Sequence, residues 1–212
     1  MPFIIFEFVV LLFSAVIHEV SHGFVAEWLG DPTARNAGRL TMNPIVHLDL
    51  FGSVLMPVSL YILSGGQFFF AAAKPVPFNP GNLKDPKWGS AMIGAAGPGA
   101  NVLIAIIFGI IAQVGIAAGL LSATLAAFFD VIIYINILLA VFNLVPIPPL
   151  DGSRVLFALL PTNESTFRFM RFMERYGLVL VLFFVFFGFS IIIPIINSLY
   201  SLIAGGGVLP GF

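Results

Sequence analysis

Five long apolar stretches, about residues 3 to 29, 45 to 63, 89 to 120, 125 to 148 and 177 to 203, dominate this chain. Each approaches or exceeds the roughly 20 residues that an α-helix needs to cross a bilayer. Only 9% of the residues are charged, against about a quarter in a soluble domain. The polar connections between the stretches are too short to bury a core of their own. The sequence therefore predicts an all-α polytopic membrane protein, residues 1–212 forming a single transmembrane domain. The first stretch has no basic flank before it and no small-residue cleavage site after it, so it reads as a retained transmembrane helix rather than a signal peptide.

Charge and cysteine content remove several classes of function. With 9 Lys and Arg against 10 Asp and Glu, the chain offers no basic surface to a nucleic-acid backbone. Cysteine is absent, which excludes disulfides, thiolate catalysis and thiolate metal ligation; any metal must be held by His, Asp or Glu.

The basic residues fall into three clusters: Arg35 and Arg39; Lys74, Lys84 and Lys87; then Arg154, Arg168, Arg171 and Arg175. The turn near 120 to 125 has none. If all three clusters face the cytoplasm, the segment from 45 to about 73 leaves and returns on one side. Gly65 and Gly66 break that segment, and Pro75, Pro77 and Pro80 forbid a helix or central strand after it. The aromatic and small residues from Gln67 to Phe78 fit a small re-entrant edge hairpin, with an ordinary interfacial loop as the alternative. Residues 162 to 176 carry Phe169, Phe172, Met173 and Tyr176 on one helical face and Arg168, Arg171 and Arg175 on another. They predict an interfacial helix, ahead of a C-terminal transmembrane helix at 177 to 203.

Within the first apolar stretch lies His18-Glu19-Val20-Ser21-His22. Helical periodicity puts His18 and His22 one turn apart on the same face, where two imidazoles reach one Zn²⁺ while Glu19 leans toward bound water. Bare HExxH patterns also arise by chance in soluble helices. Here each ionisable side chain costs roughly 2 to 3 kcal/mol at mid-bilayer, and such residues are rarely kept without a function. A zinc site needs a third protein ligand. The one remaining histidine is His47, and a carboxylate is the natural alternative: Asp151, in Asn143-Leu144-Val145-Pro146-Ile147-Pro148-Pro149-Leu150-Asp151-Gly152. Three prolines unwind the chain before Asp151 and Gly152 permits a sharp turn after it. Asp151 also reads as a helix-terminal cap at the interface.

Together these two motifs resemble the site-2 protease family of intramembrane zinc metalloproteases. HEVSH fits the family's HExxH, and residues 143 to 152 fit its N-x-x-P-x-P-x-L-D-G pattern. Gly38 to Pro44, Ala73 to Pro77 and Gly97 to Asn101 add to the likeness, which spans about residues 10 to 160. The resemblance implies one Zn²⁺ held by His18, His22 and Asp151, with Glu19 as general base and acid. It implies a membrane-re-entrant β-hairpin over about residues 66 to 82 beside the site and, as substrate, a transmembrane segment of another protein within the lipid bilayer. The chain departs from the family in that no helix precedes the zinc helix and no PDZ or CBS domain follows; it reads as a minimal form in a prokaryotic cell membrane.

Asn143 and Asn101 are the candidates for substrate contact or an oxyanion donor, each an uncharged amide in an apolar helix. Interhelical hydrogen bonding is the other use of such residues and is favoured for Asn101. His47 and Asp49 read either as a supporting pair or as interfacial anchors. Gly94, Gly97 and Gly99 suit close helix packing, and Pro194 suits a kink in the last helix. A transporter or proton pathway using the buried His and Glu is the alternative function; it predicts broken helices in two corresponding halves, and no such repeat is visible.

Overall fold

A computed structural model of the chain describes residues 2–49, Gly52, Leu55, Val58, Ser59, Ile62 and 73–205. Among the described residues, four helical segments are long and apolar enough to cross a membrane. They are α1 (Pro2–Trp28), α4 (Pro86–Ala117), α5 (Ala123–Asn143) and a last segment made of α7 (Glu164–Phe183), one π-helical turn (Phe184–Gly188) and α8 (Phe189–Ala204). Short helices α2 (Thr33–Asn36), α3 (Pro44–His47) and α6 (Gly152–Leu159) sit in the connections.

Local chemistry sets the helix ends. Asp85 accepts hydrogen bonds from the main-chain N–H groups of Lys87 and Trp88, with Pro86 at the first helical position of α4. Ser122 and Asn163 cap α5 and α7 in the same manner. Helix α1 stops at Gly30, whose φ of +105° lies where a side chain is strained.

Helix α4 is the centre of the bundle and packs against α1, α5, α6 and α8. Ala105, Ala112, Ile133, Ile137, Val181, Val185, Ile192 and Ile196 fill the space between α4, α5 and the last segment. Outward faces carry Ile106, Ile110 and Val114 on α4 and Phe183, Phe186 and Phe187 near the π turn, all exposed as bilayer-facing residues would be. Lipid is as apolar as these side chains, so tight contact rather than water exclusion holds such helices together. Gly109 illustrates it: a Cβ there would stand 2.5 Å from Ile203 Cγ2 and 2.7 Å from Ile203 O, so only glycine lets α4 and α8 approach this closely.

Residues Glu164–Ala204, which take in the expected interfacial stretch at 162–176 and the C-terminal membrane stretch at 177–203, run as one continuous helical segment. At 1.5 Å per residue it is about 60 Å long, twice the hydrocarbon thickness, so its charged first turns stand outside the apolar layer. No strand occurs among the described residues. Residues 73–79 are irregular, whereas 66–72 of the expected hairpin and about half of the 45–63 stretch lie outside the described residues.

The connections at 29–43, 74–85 and 144–163 gather at one end of the bundle. Asp31 ties the first two together. Fully buried, its carboxylate accepts from the Thr33 N–H and hydroxyl, from Asn82 Nδ2 and from the Asn79 N–H. Lys87 Nζ donates to Leu160 O at 2.8 Å and joins the third.

Candidate metal centre

His18 and His22 lie on the face of α1 turned toward α4, both buried, with ring centroids 4.7 Å apart and planes at 84°. Asp151 comes to them from the far side. After α5 ends at Asn143, the chain folds into a compact loop in which Leu144 O approaches Gly152 so closely that a Cβ would be 2.1 Å away. That turn points the Asp151 carboxylate into the bundle. Its Oδ2 lies 3.0 Å from His18 Nε2 and 3.1 Å from His22 Nε2. Arg154 Nη1 lies 3.6 Å from the other oxygen, and its guanidinium sits 4.8 Å above the Phe78 ring.

The far nitrogens of both rings face oxygen atoms. His22 Nδ1 donates to Ile93 O and His18 Nδ1 to Asn101 Oδ1, each at 2.6 Å. With their protons on Nδ1, both imidazoles present bare Nε2 lone pairs to a carboxylate oxygen. Three acceptors with no proton between them repel one another, and a bound cation removes the conflict. A tetrahedral ion with bonds of about 2.0 to 2.1 Å holds its ligand atoms about 3.3 Å apart. The observed separations are within a few tenths of an ångström of that. The residues present therefore fit a zinc ion held by two histidines and one aspartate.

Gly97 is what makes room. A Cβ on it would lie 2.5 Å from His18 Nε2, 2.6 Å from His18 Cδ2 and 2.6 Å from His22 Nε2. Sequence reading placed Gly97 among residues for helix packing, and the surface packed on it is the pair of imidazoles.

Glu19 is half-buried, with a carboxylate oxygen among a group of ligand atoms from His18, Glu19 and His22 lying within 4.8 Å of one another. Its Oε2 accepts from the Val76 N–H at 2.8 Å. The strap bearing Val76 is itself tied down: Arg39 Nη2 donates to Lys74 O at 2.6 Å, and the Lys74 N–H donates to His47 O at 2.8 Å. Arg39 and His47 are both buried, and His47 Nε2 donates to Thr41 O. His47 therefore belongs to the support of this strap rather than to the ligand set. Asp49 Oδ2 accepts from the Gly52 N–H.

Asn101 and Asn143 have different surroundings. Asn101 is fully buried; its Nδ2 donates to Asn136 Oδ1 at 2.8 Å and faces Ser14 O at 3.4 Å, so its donors are engaged inside the bundle. Asn143 is half-buried at the end of α5 and donates to Leu139 O, using one of its two amide hydrogens. Asn136 and Ser14 were not singled out from the sequence. An asparagine in the middle of an apolar helix was the available signal for Asn136.

A buried His–His–Asp constellation beside a glutamate, within a bundle of membrane-crossing helices, defines a membrane-embedded metallopeptidase. Comparison with known proteins agrees. Residues 109–187, which include Asp151, match the model of peptidase family M50. The chain is 36% identical over 205 residues to YwhC of Bacillus subtilis, provisionally designated a zinc metalloprotease, covering 93% of this chain and 87% of that protein. Rip2 of Mycolicibacterium smegmatis, with the same provisional designation, is 28% identical over 80% of this chain and 62% of its own length. Zinc metalloprotease MJ0392 of Methanocaldococcus jannaschii is 27% identical over 85% of this chain and 42% of its own length. No solved structure matches the chain. The chain belongs to peptidase family M50.

Proposed function

We propose that this chain hydrolyses a peptide bond within or near a transmembrane segment of another membrane protein, with His18, His22 and Asp151 holding one Zn²⁺ and Glu19 serving as general base and acid. The observation that carries this reading is the meeting of two imidazole Nε2 atoms with one carboxylate oxygen, at 3.0 and 3.1 Å, inside a bundle of apolar helices. Zinc bound there supplies Lewis acidity and an activated water at neutral pH. Glu19 takes a proton from the attacking water and returns it to the leaving amine nitrogen. The Val76 N–H holds Glu19 Oε2, which leaves the second carboxylate oxygen for that proton. Asn143 keeps one amide hydrogen for the oxygen of the scissile carbonyl, and Asn101 orients His18.

A helical substrate must unwind before its carbonyl can be attacked, and main-chain groups bared in a bilayer cost several kcal/mol each unless paired. The re-entrant segment at 66–82 is the proposed partner, pairing through residues that precede the strap. The basic clusters support an orientation with the loops at Arg35, Lys74 and Arg168 in the cytoplasm and 120–125 outside, in the cell membrane of a prokaryote, with 45–63 as a fifth apolar segment that does not cross. The charged first turns of α7 then lie at the interface.

Zinc content of the purified full chain, measured beside cleavage of a single-pass membrane substrate, tests the reading. One zinc per chain, lost together with cleavage in Asp151→Ala, is the expected result. A metal-free chain that cleaves at the full rate would overturn it.

A further inference from the structure

Behind His18, three helices share a buried polar chain: Asn136 on α5, Asn101 on α4 and Ser14 on α1, the asparagines with no exposed surface. Each amide could face either way, and the direction is fixed at one end. Asn136 Nδ2 lies 2.9 Å from Ile132 O, a main-chain carbonyl that can only accept, and 2.9 Å from Ser14 Oγ. Turned over, Asn136 would set its own oxygen against that carbonyl, so Nδ2 stays there and Oδ1 points to Asn101. That oxygen in turn takes Asn101 Nδ2 at 2.8 Å, which leaves Asn101 Oδ1 as the atom 2.6 Å from His18 Nδ1. An acceptor at that point keeps the His18 proton on Nδ1 and the Nε2 lone pair free.

We propose that Asn136 is a positioning residue for the metal site, setting through Asn101 the tautomer in which His18 can bind zinc. This rests on the assignment of His18 as a ligand under Proposed function. His22 needs no such device, because its Nδ1 faces the Ile93 carbonyl directly. His18 faces an amide, which presents a donor if it turns. Without the Asn136 oxygen, only the longer contact to Ser14 O at 3.4 Å opposes a turn of Asn101, and an amide that turns its Nδ2 to His18 Nδ1 moves the imidazole proton to Nε2 and removes the ligand.

The test is zinc affinity of the detergent-purified full chain, by competition with a chelator of known affinity. Asn136→Leu should bind zinc about 10- to 100-fold more weakly, the range seen when a partner of a ligating histidine is lost. Asn136→Asp, whose buried carboxyl keeps a proton on the oxygen facing Ile132 O and still offers the other oxygen to Asn101 Nδ2, should stay within about 3-fold of wild type. The deciding variant is Asn101→Asp combined with Asn136→Leu. A carboxylate at 101 accepts from His18 whichever way it turns, so the double variant should regain most of the affinity that Asn136→Leu loses and bind zinc as Asn101→Asp alone does, an interaction a packing defect does not produce. Equal affinity in wild type and Asn136→Leu overturns the proposal, as does a double variant as weak as Asn136→Leu. If Asn136→Leu fails to fold, loss of affinity in a folded Asn136→Asp overturns it as well. A wild-type chain that binds no zinc would instead refute the ligand assignment, so the two failures are distinguishable.

Discussion

Replacing Gly97 by Ala adds one methyl group, and the structure says where it goes. The new carbon would lie 2.5 and 2.6 Å from two atoms of the His18 ring and 2.6 Å from His22 Nε2. Ordinary carbon–nitrogen contact begins near about 3.4 Å, so close to 0.9 Å must be made up at both rings together. The rings cannot absorb it freely, because Asn101 and Ile93 hold them from behind at 2.6 Å. A site built for one ion tolerates displacements of only about 0.5 Å. Overpacking of this kind costs about 1 to 3 kcal/mol in stability, and the same strain falls on the atoms that would ligate the metal. Gly97→Ala should therefore lower zinc affinity at least about 10-fold, a loss of about 1.4 kcal/mol, and cut cleavage in proportion. Gly99→Ala, two residues away with nothing within 4 Å of its added carbon, is the matched control and should behave as wild type. Chelator competition on both variants, with thermal unfolding to confirm folding, measures the effect. Wild-type zinc affinity in Gly97→Ala would refute the argument that the imidazoles depend on that missing side chain.

Glu19→Gln should retain zinc and fold while losing cleavage, since an amide holds water but does not accept its proton; metal analysis showing loss of zinc would make Glu19 structural instead. At Asp31, burial alone would raise the carboxyl pKa, but hydrogen bonds from the Thr33 hydroxyl, Asn82, and the Asn79 and Thr33 N–H groups outweigh it and hold the group below its ordinary value. The folded pKa being the lower one, this stabilisation is present above about pH 4, the unfolded value, and is lost as pH falls through the folded value. Asp31→Asn should cost about 1 to 3 kcal/mol at pH 7 by setting an amide against donors, with the difference from wild type shrinking in acid; unfolding curves at pH 7 and pH 3 in detergent measure it. Cysteine placed at Lys84 in this cysteine-free chain should resist an impermeant thiol reagent in intact cells, and labelling from outside would refute the proposed orientation.

The parts legible in the sequence were those that local pattern encodes. Apolar length announced the spanning helices, the four-residue spacing put His18 and His22 on one face, and the prolines with Gly152 marked where the chain leaves its helix to carry Asp151. What could not be read depends on which face of one apolar helix meets another. Helix α5 carries apolar residues on every face, so periodicity gives no reason to turn Asn136 toward Ser14 and Asn101 rather than toward lipid. Gly97 had the same ambiguity, since a small residue permits a close neighbour without saying which. At Tyr176 the composition changes sharply from charged to apolar, yet nothing there breaks a helix, and the backbone runs straight through.

The strap at 74–77 has a consequence for how this site withstands mutation. Pro75 and Pro77 carry no N–H, the Lys74 N–H is taken by His47 O, and the Val76 N–H is the one that reaches Glu19. The contact belongs to the main chain, so every side chain but one can stand at 76 and leave the donor in place. Scanning 74–77 with alanine would pass over the group that steadies the glutamate. Val76→Pro alone deletes it, and cleavage by that variant, compared with Val76→Ala at equal zinc content, reads the contact separately from the packing of the valine against Gly23.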